Sequence, residues 1–176
     1  MLEGILRWAK SILFAIAIAI MIEKFICGVT IVQGMSMSPT LQDEDKLFIN
    51  KIGCFLKKPH VGDIVIFHPP IEERKKEMFI KRVVAVEGDA FRIKENTVYI
   101  NGVKINEPYI HKEAYDKKTY KIMEGIVPEG MVFVMGDNRN DSNDSRCFGF
   151  VPIKNIRGKA NIRIWPLNEV KAFSSP

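Results

Sequence analysis

The strongest apolar pattern in the chain lies near its N-terminus. Residues 11–22 carry no charge, and the run extends over 5–26 when Arg7, Lys10 and Lys24 turn their charges toward an interface. This length of 22 residues is enough to cross a bilayer, which requires about 20. The pattern therefore predicts a transmembrane α-helix.

We predict a single membrane anchor over 5–27, preceded by a short cytoplasmic N-terminus at 1–4. Positive residues precede the run, so the positive-inside rule directs the N-terminus to the cytoplasm and the rest of the chain outward. Two alternatives are a cleavable signal peptide and a buried helix of a soluble domain. Phe25-Ile26-Cys27 lacks a small-x-small cleavage pattern, and the run is apolar almost all round, so the uncleaved anchor is favoured.

Beyond Gly28 the apolar positions form short stretches separated by Gly, Pro, Asn and Asp. They have strand length and are rich in β-branched and aromatic residues. Asn101-Gly102 follows one of them and is a strong hairpin signal. The pattern predicts one mainly β domain over 28–176, an antiparallel β-sheet tethered by the N-terminal helix. The predicted strands are 46–49, 63–67, 79–86, 97–100 and 131–135, with a hairpin partner at 103–105.

Composition narrows the classes of function. The net charge is +5, but the basic residues are spread over short clusters without interleaved aromatic residues, so we expect no nucleic-acid partner. The three cysteines, Cys27, Cys54 and Cys147, are widely spaced, and the histidines are scattered. We therefore expect no metal and no cofactor. A disulfide between Cys54 and Cys147 stays open.

The first stretch with candidate chemistry surrounds Ser36, in the segment Gly34-Met35-Ser36-Met37-Ser38-Pro39. Gly34 allows close approach of the backbone, and Pro39 fixes the chain direction just downstream. A serine between them, where a strand passes into a loop, would expose its hydroxyl. Taken alone, however, the stretch is better interpreted as an ordinary loop.

The second stretch places Lys81 inside a predicted strand, on the same face as Phe79 and Val83. An edge strand uses lysine to prevent aggregation, and from this stretch alone that interpretation is favoured. A buried lysine would instead act as a general base, if its pKa fell by roughly 3 units from ~10.4. Serine–lysine pairs are a recognised variant of nucleophilic catalysis.

The third stretch, 136–146, follows the predicted strand 131–135 directly and combines two arginines with three aspartates. This composition indicates a rigid network of ion pairs rather than a floppy loop. A calcium-binding loop is the alternative. Its spacing does not fit an EF-hand, and no glutamate closes it.

Together these stretches closely resemble the type I signal peptidases, and the small size is similar to the Gram-positive form. The resemblance implies a membrane-bound serine endopeptidase that removes signal peptides from secretory preproteins after small-x-small sites, with its catalytic domain outside the cell membrane. It covers the N-terminal anchor and, in order, 36–41, 62–67, Lys81-Arg82-Val83 with Gly88-Asp89, and 136–146.

The resemblance also implies roles for single residues. Ser36 is the nucleophile, Lys81 is its general base, and Ser142 orients the lysine. Gly34 stands where some relatives have a serine that helps to bind the oxyanion. The oxyanion must then be bound by the backbone N–H of Ser36, together with that of Gly34 or with a water molecule. The residues that match the structural support of the site are Asp137, Arg139, Asp144 and Arg146.

An extended substrate is expected to add as a strand beside the dyad, with shallow apolar pockets that admit only small side chains. Our candidates for lining these pockets are Val32, Met37 and Ile80, although core packing explains each of them equally well.

Two other functions stay open at this stage. Self-cleaving repressors also use a serine–lysine pair on a similar β core, but they carry a DNA-binding domain where this chain has its apolar run. A catalytically silent, membrane-anchored β domain that binds secretion components is the second. The presence of both Ser36 and Lys81 counts against it.

Overall fold

The structure, a computed structural model, describes residues 2–52, 57–95, 97–110 and 120–173. Cys54 lies outside these residues, so the disulfide left open with Cys147 is not tested.

The N-terminal helix α1 spans Leu2–Phe25. Its side chains are exposed from residue 6 onward, including those of Trp8 and Phe14. By length and apolarity together, none of the helices within the described ranges qualifies as a membrane span. The predicted helix is therefore confirmed, whereas its transmembrane character stays a prediction.

Twelve strands follow within the described residues, with one short α-helix, α2 (Ser145–Phe148). Single 3-10 turns lie at Glu72–Arg74, Ile153–Asn155 and Leu167–Glu169. The strands are β1 (Cys27–Ile31), β2 (Lys46–Asn50), β3 (Ile64–Phe67), β4 (Phe79–Val86), β5 (Ala90–Lys94), β6 (Thr97–Ile100), β7 (Val103–Lys104), β8 (Glu124–Ile126), β9 (Met131–Met135), β10 (Val151–Pro152), β11 (Ile156–Trp165) and β12 (Lys171–Ala172).

These strands form two antiparallel sheets. The larger has the order β1-β2-β11-β3-β4-β9-β10, and β12 pairs with β11. The smaller has the order β7-β6-β5-β8. The prediction of a mainly β, antiparallel domain is thus confirmed, as is the hairpin between β6 and β7. Asn101 and Gly102 adopt positive φ angles of 52° and 80°, as the tight turn requires.

Strand β4 is central, because it pairs with β3 on one side and with β9 on the other. Apolar clusters cover both of its faces: Val83 packs in the cluster that contains Phe67, and Val84 packs in the one that contains Phe133. The edge-strand interpretation of Lys81 is therefore wrong. A lysine in the middle of a paired and covered strand must be buried, and its side chain has to find partners there.

Candidate active site

Ser36 lies in the loop that joins β1 to β2. The loop is closed by the Val32 N–H, which donates to the Asp45 carbonyl at 2.8 Å, and by the Ser38 N–H, which donates to the Met35 carbonyl at 3.0 Å. Because the next side chain, Met37, is only 1% exposed, it anchors the loop in the core. Ser36 itself is half-buried.

Lys81 lies beside this serine. Its Nζ is 2.7 Å from Ser36 Oγ and 3.0 Å from the carbonyl oxygen of Ile80. The two residues are 45 positions apart in the chain, and the fold alone brings them together. With a neutral amine, Nζ accepts the hydrogen bond from the serine hydroxyl. This contact is within the range that general-base catalysis requires.

The Lys81 side chain is 5% exposed, and its burial lowers the pKa from 10.5 to about 8. Removing an ammonium group from water disfavours the charged form. Asp144 and Asp137 raise the pKa of Lys81, and Arg74 lowers it further. The aspartates are each paired with an arginine, so the effect of burial dominates.

The loop formed by 136–146 contacts the loop that carries Ser36 directly. The Asn138 backbone N–H donates to the Ser36 carbonyl at 3.1 Å, and its side-chain amide donates to the Met35 carbonyl at 3.2 Å. Gly136 lets the loops approach each other, since a Cβ there would lie 2.4 Å from Ser36 O and 2.3 Å from Ser142 Oγ. Asn138 thus holds the backbone on either side of the bond between Met35 and Ser36, a contact that its motif position alone did not indicate.

Asp144 and Arg146 form a buried pair at the start of α2. Two hydrogen bonds of 2.9 and 2.8 Å join the guanidinium group to the carboxylate. The carboxylate also accepts the Gly136 N–H at 3.0 Å, and Arg146 donates to the Arg139 carbonyl at 2.8 Å. The pair therefore connects the start of the loop 136–146 to its end.

Asp137 faces the strand that carries Lys81. It is 1% exposed and accepts two hydrogen bonds, of 2.9 and 2.6 Å, from Arg82. Arg82 also donates to the Gly62 carbonyl at 2.9 Å and stacks on Tyr109, with 3.9 Å between the guanidinium carbon and the ring centroid. Because adjacent strand residues point to opposite faces, Lys81 can reach the serine while Arg82 holds the loop.

Arg139 pairs with Glu107, and the side chains of both are 4% exposed. Its guanidinium group donates to both carboxylate oxygens of Glu107, and its Nε donates to the Gly136 carbonyl at 3.2 Å. Tyr109 donates to the same carboxylate at 3.0 Å. Sequence reasoning missed Glu107 and Tyr109, because nothing in a polar loop segment indicates a partner 32 positions away.

The predicted network of ion pairs is therefore present in 136–146. The carboxylates of Asp137 and Asp144 are occupied by guanidinium groups, which argues against the calcium-loop alternative. Within the described part of the chain, no group of three or more His, Cys, Asp or Glu residues could hold a metal ion.

Two residues with implied roles differ in detail from the expectation. The Gly34 N–H donates to Asp43 Oδ1 at 2.7 Å, so it would have to leave that carboxylate before it could bind an oxyanion. Ser142 Oγ is buried and has no hydrogen-bond partner among the described residues. Lys81 Nζ is in contact with Ser36 Oγ and the Ile80 carbonyl, and the orienting role of Ser142 stays a prediction.

A cleft of about 680 Å³ opens onto Ser36 and Lys81. Residues 29–37 and 77–81 line it, with Arg74, Asp141 and Asn143. Val32, Met37 and Ile80 all border the cleft. Val32 and Met37 also belong to a core cluster, against which Ile80 packs, so these three residues separate the cleft from the core.

Comparison with known proteins gives a consistent result. Residues 5–165 match the family model of the signal peptidases, peptidase S26. Signal peptidase IB of Staphylococcus aureus (strain COL) is 35% identical over 190 residues, which cover 100% of this chain and 97% of that protein. A probable signal peptidase I-2 of Synechocystis is 38% identical over 169 residues, covering 94% of this chain and 75% of that protein.

A solved structure is similar as well. The crystal structure of a signal peptidase I from Enterococcus faecalis V583 has a TM-score of 0.51 and 34% sequence identity. The similarity covers 60% of this chain and 98% of that one.

Proposed function

The chain belongs to the signal peptidase family, peptidase S26, and from that premise we propose that Ser36 and Lys81 are the catalytic dyad. The family resemblance predicted from the motifs is thereby confirmed, and the activity is that of a signal peptidase, a serine endopeptidase acting on secretory preproteins. The observation that carries the proposal for the dyad is the 2.7 Å contact between Lys81 Nζ and Ser36 Oγ, made by a buried lysine of lowered pKa.

In the proposed reaction, the neutral amine of Lys81 takes the proton of the Ser36 hydroxyl as Oγ attacks the scissile carbonyl carbon. The resulting ammonium group then gives its proton to the leaving amine, and an acyl-enzyme remains. A water molecule, deprotonated by Lys81, attacks the carbonyl carbon of this ester; the bond to Ser36 Oγ then breaks, the signal peptide leaves, and the Lys81 ammonium returns its proton to Ser36 Oγ. The same group thus serves as base, acid, base and acid in turn.

The oxyanion of the tetrahedral intermediate requires hydrogen-bond donors near Ser36. We assign the Ser36 N–H as one donor, and donors of this kind are often worth roughly 3–4 kcal/mol. The N–H of Gly34 is the candidate for the second, on condition that it exchanges Asp43 for the oxyanion. Ser142 is proposed as a further partner of the Lys81 amine. Its buried hydroxyl without a partner lies against Gly136, close to the nucleophile loop.

The cleft is proposed to hold the acyl side of the substrate as an extended strand, between 29–35 and 77–80. Val32, Met37 and Ile80 form its floor in this proposal. Because they are backed by the packed core, they leave room for small side chains only, which agrees with cleavage after small-x-small sites.

We propose that α1 attaches the domain to the lipid bilayer, with the N-terminus in the cytoplasm and the catalytic domain outside. A helix of 24 residues is about 36 Å long. Its exposed apolar side chains, among them Ile12, Leu13 and Phe14, would then lie against lipid.

Cleavage of a purified preprotein by the full chain in detergent tests the dyad. We expect Ser36→Ala and Lys81→Met each to lower kcat/KM by at least about 10³-fold, with unchanged circular dichroism. Lys154→Met, which changes an exposed lysine, is the matched control and should leave the rate unaltered. If Lys81→Met still cleaves at a rate near that of the wild type, the base is another group.

A further inference from the structure

The connection between helix α1 and the wall of the substrate cleft is very short. The helix ends at Phe25, the strand β1 begins at Cys27, and Ile26 alone lies between them. Within three further residues the chain reaches Val29, which lines the cleft. A change of direction at this junction therefore moves the helix relative to the cleft.

Lys51, which follows β2, holds this junction with two hydrogen bonds. Its backbone N–H donates to the Ile26 carbonyl at 3.0 Å, and its Nζ donates to the Glu23 carbonyl at 2.7 Å. The last carbonyls of a helix have no partner within the helix, and a cation there also complements the helix dipole. Gly28 leaves the path of the side chain open, because a Cβ at that position would lie 3.2 Å from Lys51 Cε.

The length of helix α1 makes this contact important. Helix α1 has 24 residues and is about 36 Å long, so a tilt of about 20° at the junction displaces its far end by about 12 Å. If the helix sits in lipid, the same tilt instead moves the cleft relative to the bilayer. A single side chain at the pivot can therefore decide where the dyad meets a substrate that is itself held in the membrane.

We propose that Lys51 is a positioning residue that couples the direction of α1 to the substrate cleft, so that the cleft meets the cleavage site of a membrane-held preprotein. This inference rests on the proposed function and on the proposed attachment of α1 to lipid. Lys51 touches neither Ser36 nor Lys81 in this scheme. Its loss should affect membrane-held substrates and spare short soluble ones.

The test compares two substrates for each variant of the full chain reconstituted in phospholipid vesicles: a preprotein inserted in the same vesicles, and a soluble peptide spanning the cleavage site. For Lys51→Ala we expect the preprotein rate to fall at least threefold relative to the peptide rate. The ratio of the two rates within one variant cancels differences in the amount of folded enzyme. A Gly-Ser-Gly insertion after Ile26, which keeps Lys51 but loosens the junction, should lower the ratio as well.

Lys51→Arg should restore the ratio, because it keeps the charge and a donor at the end of a long chain. Lys154→Ala, at an exposed lysine far along the sequence, should leave the ratio unchanged. If both rates of Lys51→Ala fall together, or neither falls, the coupling role is refuted while the proposed function stands. A wild type that cleaves neither substrate would overturn the proposed function, and this inference with it.

Discussion

Replacing Lys81 by methionine removes the amine but keeps an unbranched side chain of similar size in the same site. In the wild type, folding transfers the amine from water to a site where burial lowers its pKa from 10.5 to about 8. Each pKa unit corresponds to about 1.4 kcal/mol. Burying the charged lysine therefore destabilises the fold by about 3 kcal/mol at neutral pH.

The sign of the pH dependence follows from the two pKa values. Below pH 8 the folded and unfolded chains both carry the proton, so the full penalty applies. Between about pH 8 and 10.5 the unfolded chain binds more protons than the folded one, and the stability of the wild type rises with pH. Because methionine does not titrate, we expect Lys81→Met to be the more stable protein at pH 7. This advantage should shrink by roughly 2–3 kcal/mol by pH 10.

Urea unfolding of the full chain in detergent at pH 7, 8.5 and 10 measures this difference. Subtracting the free energy of unfolding of the wild type from that of the variant cancels the titration of all other groups. The same subtraction for Lys154→Met, which changes an exposed lysine, should give a value that does not depend on pH. A difference for Lys81→Met that stays constant within about 0.5 kcal/mol over this range would refute the inference of a buried lysine with a lowered pKa.

Three further predictions concern activity. In the wild type, kcat/KM should rise about tenfold per pH unit and level off near pH 8, because Lys81 acts only when neutral; a rate independent of pH between 6 and 8 would contradict this. Gly136→Ala should abolish cleavage, since the new Cβ would lie 2.3 Å from Ser142 Oγ and 2.4 Å from Ser36 O; peptide kinetics near the wild-type rate would show that the loops can separate. Asn138→Ala should lower kcat about tenfold with little change in KM, because loss of the side-chain amide frees the nucleophile loop; a change confined to KM would assign the residue to substrate binding instead.

Local sequence was sufficient for much of the larger sheet. Strands β2, β4 and β9 were predicted almost to the residue, because each is a short run of β-branched and aromatic side chains bounded by turn formers. The longest strand, β11, was missed. Its sequence, from Ile156 to Trp165, mixes charged and apolar residues, and its pairing with β2 is interrupted by register shifts.

The reason for the irregular sequence of β11 lies in its neighbours. Arg163 is buried because Asp45, which lies 118 positions away in the chain, accepts its hydrogen bond at 2.9 Å. Gly158 is required because a Cβ there would lie 2.1 Å from Ile49 Cγ2. Neither partner can be identified from the strand itself.

The sequence by itself determined the family, through four short motifs in a fixed order, and it proposed Ser36 and Lys81 from them. It left the nature of Lys81 undecided, because edge and buried lysines look alike in a run of apolar residues. Only the tertiary structure decided that point, by pairing β4 on both sides. Burial lowers the pKa of an amine, and burial depends on contacts between residues that are distant in the chain.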